Sequence, residues 1–492
     1  MPEIVPVLLS TLTLQHKGRM FLAEQCDCAC AEAGLIPTER VDSLRASLRC
    51  ADVFTQPLPS GHTLMANPRA VPGVAVLNAA ARQVWERHRT PGAELFPDES
   101  SYADRNLANL VAQMAAHGLL EPAGESSSPR LRATTPRVLG AWLHLTNACN
   151  LRCDYCYLAR SGDFMSESAG RAAIDALIRS AVRGGFQRIK IKFAGGEPSL
   201  RLDLVYALHG YASRAASSAG LELDSIILTN GTMLDDAAVA ELASRGIRIM
   251  VSLDGLGLDH DGQRRRADGR GSFAEVNQTL DRLAACSLKP FISITVTGRS
   301  ARGLPALVGY LLDRELSFNF NLFRDNSHAR ADDLGLATDL VVGALEQALA
   351  VMEAKLPVDS PLGALLDRCV MDRPHERTCG VGESYLVFDP HGGVAKCHMM
   401  IDRPVTDVSS DDPLRDAQRD RVGLQNLSVD AKEGCRDCAW KYWCAGGCPL
   451  VTYRATGRYD TRSPYCDIYR AIIPKVLRLE GLRLMKLAGL LA

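Results

Sequence analysis

The stretch Cys149-Asn-Leu-Arg-Cys153-Asp-Tyr-Cys156 decides the fold. Its spacing is CX3CX2C, and it follows directly on a segment of strand character, Ala141–Leu145. Three thiolates from one loop suit an iron–sulfur cluster better than zinc, because a closed structural zinc site takes four ligands. A cubane with three protein thiolates leaves one iron open to another molecule. On the residues alone, the alternative is a zinc loop completed by a histidine from elsewhere, such as His144. Downstream, Phe193-Ala-Gly195-Gly196-Glu197-Pro198 ends the next strand, and paired glycines there allow close approach of backbone to a ligand.

Working outward, strand and helix patterns alternate from Val138 to about Phe323. Strands are expected at Ala141–Leu145, Arg188–Phe193, Ser225–Leu228, Ile247–Ser252, Phe291–Val296 and Phe318–Leu322. Amphipathic helices such as Glu167–Arg183 and Phe273–Ala285 lie between them. Repeated strand–helix units predict a parallel sheet with helices outside. Their number suits an open or complete barrel of TIM type, whose sites gather at the C-terminal ends of the strands. The cysteine loop stands at such an end.

The cysteine loop, with Tyr155 and the downstream Gly195-Gly196-Glu197-Pro198, resembles the radical S-adenosylmethionine (radical SAM) enzymes over about residues 138–323. The resemblance implies an α/β fold, a partial (β/α)6 barrel of TIM type. It implies that Cys149, Cys153 and Cys156 hold a 4Fe–4S cluster whose fourth iron is chelated by the amino and carboxylate groups of SAM. Tyr155 belongs to the same pocket, and Gly195, Gly196, Glu197 and Pro198 would meet the SAM amino group through their backbone. In that family, reduction of the cluster cleaves SAM to methionine and a 5′-deoxyadenosyl radical, which abstracts hydrogen from the substrate. Thr229, Ser252 and Asp254, at the ends of the third and fourth strands, are by resemblance candidates for the ribose and methionine end. On the residues alone, each is equally a turn cap. Asp325 and His328 follow the sixth strand, but no catalytic base is readable. Arg264–Arg266 reads as a solvated basic loop, with an acidic peptide as a conceivable partner.

Of the chain's 16 cysteines, seven fall after residue 378. They read Cys379, Cys397, then Cys435-X2-Cys438-X5-Cys444-X3-Cys448, then Cys466. Seven exceed one four-ligand site and fall one short of two. By spacing alone, the 435–448 run is either a zinc knuckle or an iron–sulfur motif. The seven resemble the SPASM extension of radical SAM enzymes, over roughly 370–470. That resemblance implies two auxiliary 4Fe–4S clusters, one on Cys379, Cys397 and Cys448, the other on Cys435, Cys438, Cys444 and Cys466. The first lacks an obvious fourth ligand: either Cys369 reaches it or one iron is open. The nearest cysteine is Cys369, read here as an ordinary helix cysteine. Cys26, Cys28 and Cys30 match no motif.

Residues 60–121 resemble the small winged-helix peptide-recognition domain fused to many maturases of ribosomally made peptides (RiPPs). The similarity lies in Leu77-Asn-Ala-Ala-Ala-Arg-Gln-Val-Trp85 and in Leu110…His117-Gly118-Leu119-Leu120. In that family a leader peptide adds to the sheet edge as a strand. A bland packing or dimerisation module is the alternative. The expected organisation is an unassigned segment (1–59), the winged-helix-like domain (60–121) and a Pro/Ser/Gly-rich linker (122–136). A radical SAM core (137–325), bridging helices (326–369), a SPASM domain (370–470) and a C-terminal helix (471–492) follow.

Lys plus Arg number 56 and Asp plus Glu 57, a net charge of −1. That leaves no basic excess for nucleic acid or an anionic membrane. No apolar run approaches the ~20 residues of a membrane span, and no signal peptide is read. A cytoplasmic location is therefore expected, where clustered cysteines point to metal or redox chemistry. Together the resemblances imply an oxidoreductase-type RiPP maturase using SAM and three 4Fe–4S clusters. It would take hydrogen from a side chain of a precursor peptide or small protein, forming a C–S, C–C or C–O cross-link or another oxidative modification. A flavodoxin, ferredoxin or reductase would supply electrons. The alternative enzyme is a protein-modifying activase, of the sulfatase-maturing or quinohaem-enzyme cross-linking type. Outside enzymes, the alternatives are an iron–sulfur electron carrier or a zinc-stapled scaffold.

Overall fold

The computed structural model describes residues 7–10, 48–89, 102–122, 138–363 and 365–491. Cys26, Cys28, Cys30 and nearly all of the expected linker lie outside the described residues.

Six short strands come first: β1 (Leu8–Leu9), β2 (Leu48–Cys50), β3 (Phe54–Pro57), β4 (Thr63–Ala66), β5 (Val74–Leu77) and β6 (Leu120–Pro122). β1, β5, β4 and β3 lie side by side in that order, while β2 pairs with β6. Alternation along β4 and β5 divides their apolar side chains between two faces. Met65, Ala75 and Leu77 pack with Val84 and Trp85 of helix Ala79–Arg87 and with Leu110, Val111 and Met114 of helix Tyr102–Ala116. Leu64, Ala66, Val74 and Val76 join the main core through the C-terminal helix Cys466–Leu487. Asn78 caps the first helix, its side chain accepting from Ala81 N–H at 2.9 Å. The sheet thus begins before residue 60. Short strands of half-exposed residues at 48–57, and a strand (Leu8–Leu9) that pairs with Val76 and Leu77 far along the chain, carry little local signal.

The central sheet follows: β7 (Val138–His144), β8 (Arg188–Ala194), β9 (Glu222–Thr229), β10 (Arg248–Ser252), β11 (Phe291–Val296) and β12 (Phe318–Leu322). They are parallel and bonded in chain order. Helices Glu167–Arg183, Leu202–Ser218, Asp236–Ser244, Phe273–Ala285 and Leu304–Asp313 connect them. Leu139, Leu143, Ile189, Ile191, Val251, Ile294 and Val296 share one core with those helices. The intervening positions carry Trp142, His144, Lys192, Ser252, Ser293, Thr295, Asn319 and Asn321. A fully packed parallel barrel fills its interior with branched apolar residues, so this polar inner face is built for a polar occupant.

The sheet stays open at β12. On its other side β7 pairs in parallel with β13 (Tyr385–Phe388), which continues into antiparallel β14 (Gly393–Ala395) and β15 (Thr406–Asp407). The cysteine-rich region is therefore welded to the barrel's first strand. Helix Thr338–Ala354 packs on Leu304–Asp313 and on the C-terminal helix. The described residues between 356 and 378 form no helix, and Cys369 stands in an irregular segment after a turn. Pro357 and Pro361 interrupt the helical pattern there. The C-terminal helix starts at Cys466, earlier than residue 471.

Gly481 of that helix lets the N-terminal sheet approach. A Cβ there would stand 2.8 Å from Leu58 and 3.2 Å from Leu64. Gly481→Leu should destabilise the protein by about 1–3 kcal/mol, as overpacking does. A lower Tm and faster proteolysis of the N-terminal unit would check this.

Candidate active site

The cysteine loop leaves the end of β7 and is fastened on both flanks. Gly196 N–H donates to the Thr146 carbonyl at 2.6 Å, and Glu197 N–H to that of Ala148 at 2.9 Å. A Cβ on Gly195 would lie 2.5 Å from the Thr146 carbonyl oxygen, and one on Gly196 2.2 Å from that of Ala148. Gly195 also has φ +151°. From the sequence these glycines are expected to admit a ligand. In the structure the missing Cβ atoms also make room for the loop's own backbone.

The buried Glu197 carboxylate accepts from Ser199 N–H at 3.0 Å, the Thr229 hydroxyl at 2.7 Å and Asn230 N–H at 2.7 Å. It thereby ties β8 to the end of β9. Burial pushes its pKa up, although these bonds oppose the rise. Asn230 in turn donates to Asn150 at 2.8 Å and points toward the Cys149 sulfur at 3.9 Å. On the other flank, Arg152 N–H donates to Arg265 at 2.7 Å, Asp154 N–H to Gln263 at 3.0 Å, and Ala267 N–H to Asn150 at 3.0 Å.

Arg264 is not the solvated residue expected of its basic run. Its side chain is 8% exposed and pairs with the fully buried Asp254 at 3.4 Å. Tyr155 donates its hydroxyl to the same carboxylate at 2.6 Å and touches Arg264. Thr295 N–H donates to the other oxygen of Asp254 at 2.7 Å. A buried carboxylate needs such partners. Burial holds the Tyr155 hydroxyl well above its ordinary pKa, so it remains a donor. Thr229 and Asp254 therefore spend their side chains on positioning the loop and the strand ends. Ser252 instead lies on the inner face, in register with Ser293. Asp325 and His328 are exposed.

His144, the histidine a zinc reading would need, is buried and faces Asn147 at 2.8 Å and the Trp142 indole at 3.4 Å. Trp142 stacks on His398 with centroids 4.6 Å apart, and Tyr157 meets His398 edge-on at 5.6 Å. These rings link the cysteine loop to the neighbour of Cys397. The sequence offered no signal for this contact, because it joins segments more than 200 residues apart.

Cys149, Cys153 and Cys156 lie close enough to act on one another electrostatically. So do Cys379, Cys397 and Cys448, and, separately, Cys435, Cys438, Cys444 and Cys466. The last four line one small cleft together with Trp440 and Tyr469. Cys369 is 1% exposed and lies near enough to Cys444 to feel its charge. Burial pushes the thiols of Cys153, Cys397 and Cys444 up to about 12. At Cys448 burial acts the same way, but Arg324 and Arg368 overcome it and leave the thiol below its ordinary value. Among the described residues, no three Cys, His, Asp or Glu side chains close around a single ion. A cubane takes its thiolates at separate iron corners, so grouping at wider spacing accommodates it.

Residues 143–300 match the family model of the radical SAM superfamily. The barrel is a radical SAM domain. The chain is 24% identical over 346 residues to the PqqA peptide cyclase of Xanthomonas euvesicatoria, covering 68% of this chain and 88% of the relative. It is 28% identical over 171 residues to the uncharacterized protein MJ0907 of Methanocaldococcus jannaschii, covering 35% of this chain but spanning only 57% of that relative's length. The solved structure of anSMEcpe with bound AdoMet and Cp18Cys peptide superposes with a TM-score of 0.58 at 18% identity. It covers 70% of this chain and 99% of that one, which establishes a common fold. Radical SAM domains bind SAM and a 4Fe–4S cluster. The three grouped thiols on a loop clamped at the mouth of a polar barrel fit that pair.

Gly196→Ala should displace the loop, because its Cβ would meet backbone that cannot rotate away. Iron bound by the Cys149–Cys156 set should fall, with Tm lowered, as read by iron analysis and thermal denaturation. A second prediction concerns pH. Burial lowers the pKa of His144 and of His375 from 6.5 to about 4. Between those values the unfolded chain binds protons that the fold refuses, so stability falls as pH drops through this window. Each histidine contributes up to about 1.4 kcal/mol per pH unit. Denaturant melts at stepped pH should show the slope, and His375→Phe should flatten it.

Proposed function

We propose that this radical SAM enzyme is a maturase of ribosomally made peptides, with a SPASM-type C-terminal region and a winged-helix-like N-terminal unit that receives the leader peptide. The observation that carries the reading is the grouping of seven C-terminal thiols on elements welded to the barrel's own sheet. Cys149, Cys153 and Cys156 would hold the SAM-binding cluster. Cys379, Cys397 and Cys448 would hold one auxiliary 4Fe–4S cluster, and Cys435, Cys438, Cys444 and Cys466 the other. When bound, these groups supply a 5′-deoxyadenosyl radical for hydrogen removal and an acceptor for the second electron that bond formation releases.

The chain's own residues do the rest. Gly195, Gly196, Glu197, Pro198 and Thr229 fix the loop at the strand ends, and Tyr155 and Asp254 brace it from the opposite side. Ser252, Ser293, Asn319 and Asn321 present hydroxyl and amide groups to the polar end of SAM or to a peptide backbone. The apolar outer faces and their helices keep water from the strands. The PqqA peptide cyclase relative, matched over most of its length, supports a peptide substrate. A protein-modifying activase with the same sites is the second reading, favoured by the likeness to anSMEcpe with its bound peptide. A flavodoxin, ferredoxin or reductase would deliver electrons. Among the described residues, no helix is long and apolar enough to cross a membrane.

Coexpression with candidate precursor peptides tests the reading. Peptide mass should fall by two hydrogens per event, and unchanged mass with unchanged stereochemistry would refute it. Reconstituted protein should bind about twelve iron atoms per chain, four per cubane. Replacing Cys379, Cys397 and Cys448 by Ala should remove about four of them. A total near four iron atoms, with zinc present, would reduce the C-terminal thiols to a structural knuckle.

A further inference from the structure

The two C-terminal thiol groups have different surroundings. Arg324 stands two residues past the end of β12 and has a side chain 12% exposed. It donates to the Leu322 carbonyl at 3.0 Å and to Asp367 at 2.5 Å, while its Nε is buried without a partner. Its guanidinium lies against the Cys448 thiol. Arg368 has φ +58°, a left-handed backbone that a non-glycine residue keeps only where its surroundings impose it. Its Nε stands 4.0 Å from the same Asp367 oxygen, and its side chain is 15% exposed. Its charge reaches Cys379, Cys397 and Cys448 alike. Asp367, 1% exposed, also meets the Tyr469 hydroxyl at 3.4 Å. Two guanidinium groups and one carboxylate leave a net positive charge buried beside three thiols.

The other group has four thiols. Its own guanidinium neighbours, Arg462 and Arg470, are exposed, where water and salt screen them. The buried Lys432, which donates to the Ala445 carbonyl at 2.8 Å, acts on both groups and does not separate them. Reduction of a cluster adds negative charge. Net charge and hydrogen bonding around a cluster set its potential, and a buried cation acts at low dielectric. Fewer thiolates and more cations favour reduction at the same place.

We propose that Arg324 and Arg368, held by Asp367, are positioning residues that raise the reduction potential of the cluster on Cys379, Cys397 and Cys448 above that of the cluster on Cys435, Cys438, Cys444 and Cys466. The inference rests on the proposed auxiliary clusters. With both clusters bound, the ordering would make the first the better acceptor for the one electron lost by a substrate radical as its new bond forms. The proton displaced by that bond leaves to water.

The test is a redox titration of reconstituted full-length protein followed by electron paramagnetic resonance, with dithionite as reductant and iron and sulfide counted in each sample. Arg324→Gln and Arg368→Gln should lower the midpoint potential of one auxiliary signal and leave the other in place. Arg368→Lys should restore most of the shift. Asp367→Asn, which removes the compensating anion, should move the same signal upward. A merely structural role would not give opposite signs. Potentials unmoved at full iron content would overturn the inference. If the Gln variants lose iron, Asp367→Asn decides, and an unmoved or lowered potential there overturns it. An iron count unaffected by Cys397→Ala would instead refute the cluster on which the inference rests.

Discussion

Two backbone amides at the end of β8, donating to two carbonyls of the cysteine loop, are the constraint on which the site depends. Gly195 and Gly196 make that contact possible, because any Cβ would fall within the loop's own backbone. The contact sets where three thiols stand before any iron arrives. Glu197 extends the clasp to β9 through the Thr229 hydroxyl, and Tyr155 with Asp254 and Arg264 closes the opposite flank. Glu197, Thr229, Asp254 and Arg264 are buried, and their carboxylate, hydroxyl and guanidinium groups pair with one another or with backbone, as low dielectric demands. The loop is therefore held by the barrel rather than by its ligand alone.

The same logic extends to the C-terminal region. Pairing of β13 with β7 makes the cysteine-rich segment a continuation of the barrel sheet, so its thiols are fixed relative to the Cys149–Cys156 loop. The stacked Trp142 and His398 rings, with Tyr157 against them, fill the space between. At the far end, the C-terminal helix carries Cys466 at its start and the N-terminal sheet along its side. One helix thus couples the peptide-docking candidate to an auxiliary thiol group.

The sequence made the barrel legible because strand and helix periods alternate through Val138–Leu322, and because the cysteine spacing is itself the chemistry. The polar inner face was hidden, since Asn319 or Ser293 reads locally as an ordinary alternating strand residue. Arg264 looked like part of a solvated run, and only its pairing with Asp254 explains its burial. Arg324 and Arg368 carry no local signal at all. Their meaning comes from Cys448 and Asp367, brought close by the tertiary fold. Cys369 was misplaced on a helix because Leu362, Leu365, Leu366 and Cys369 follow helical spacing although no helix forms there.

The central claim is that the clamped loop of Cys149, Cys153 and Cys156 supports reductive cleavage of SAM. Anaerobic incubation of the reconstituted protein with SAM and dithionite, followed by chromatographic quantification of 5′-deoxyadenosine, measures it directly. Wild-type protein should form 5′-deoxyadenosine and methionine in equal amounts, and the variant with all three cysteines replaced by Ala should form neither. No 5′-deoxyadenosine from iron-loaded wild-type protein, or equal formation by the variant, would contradict the account.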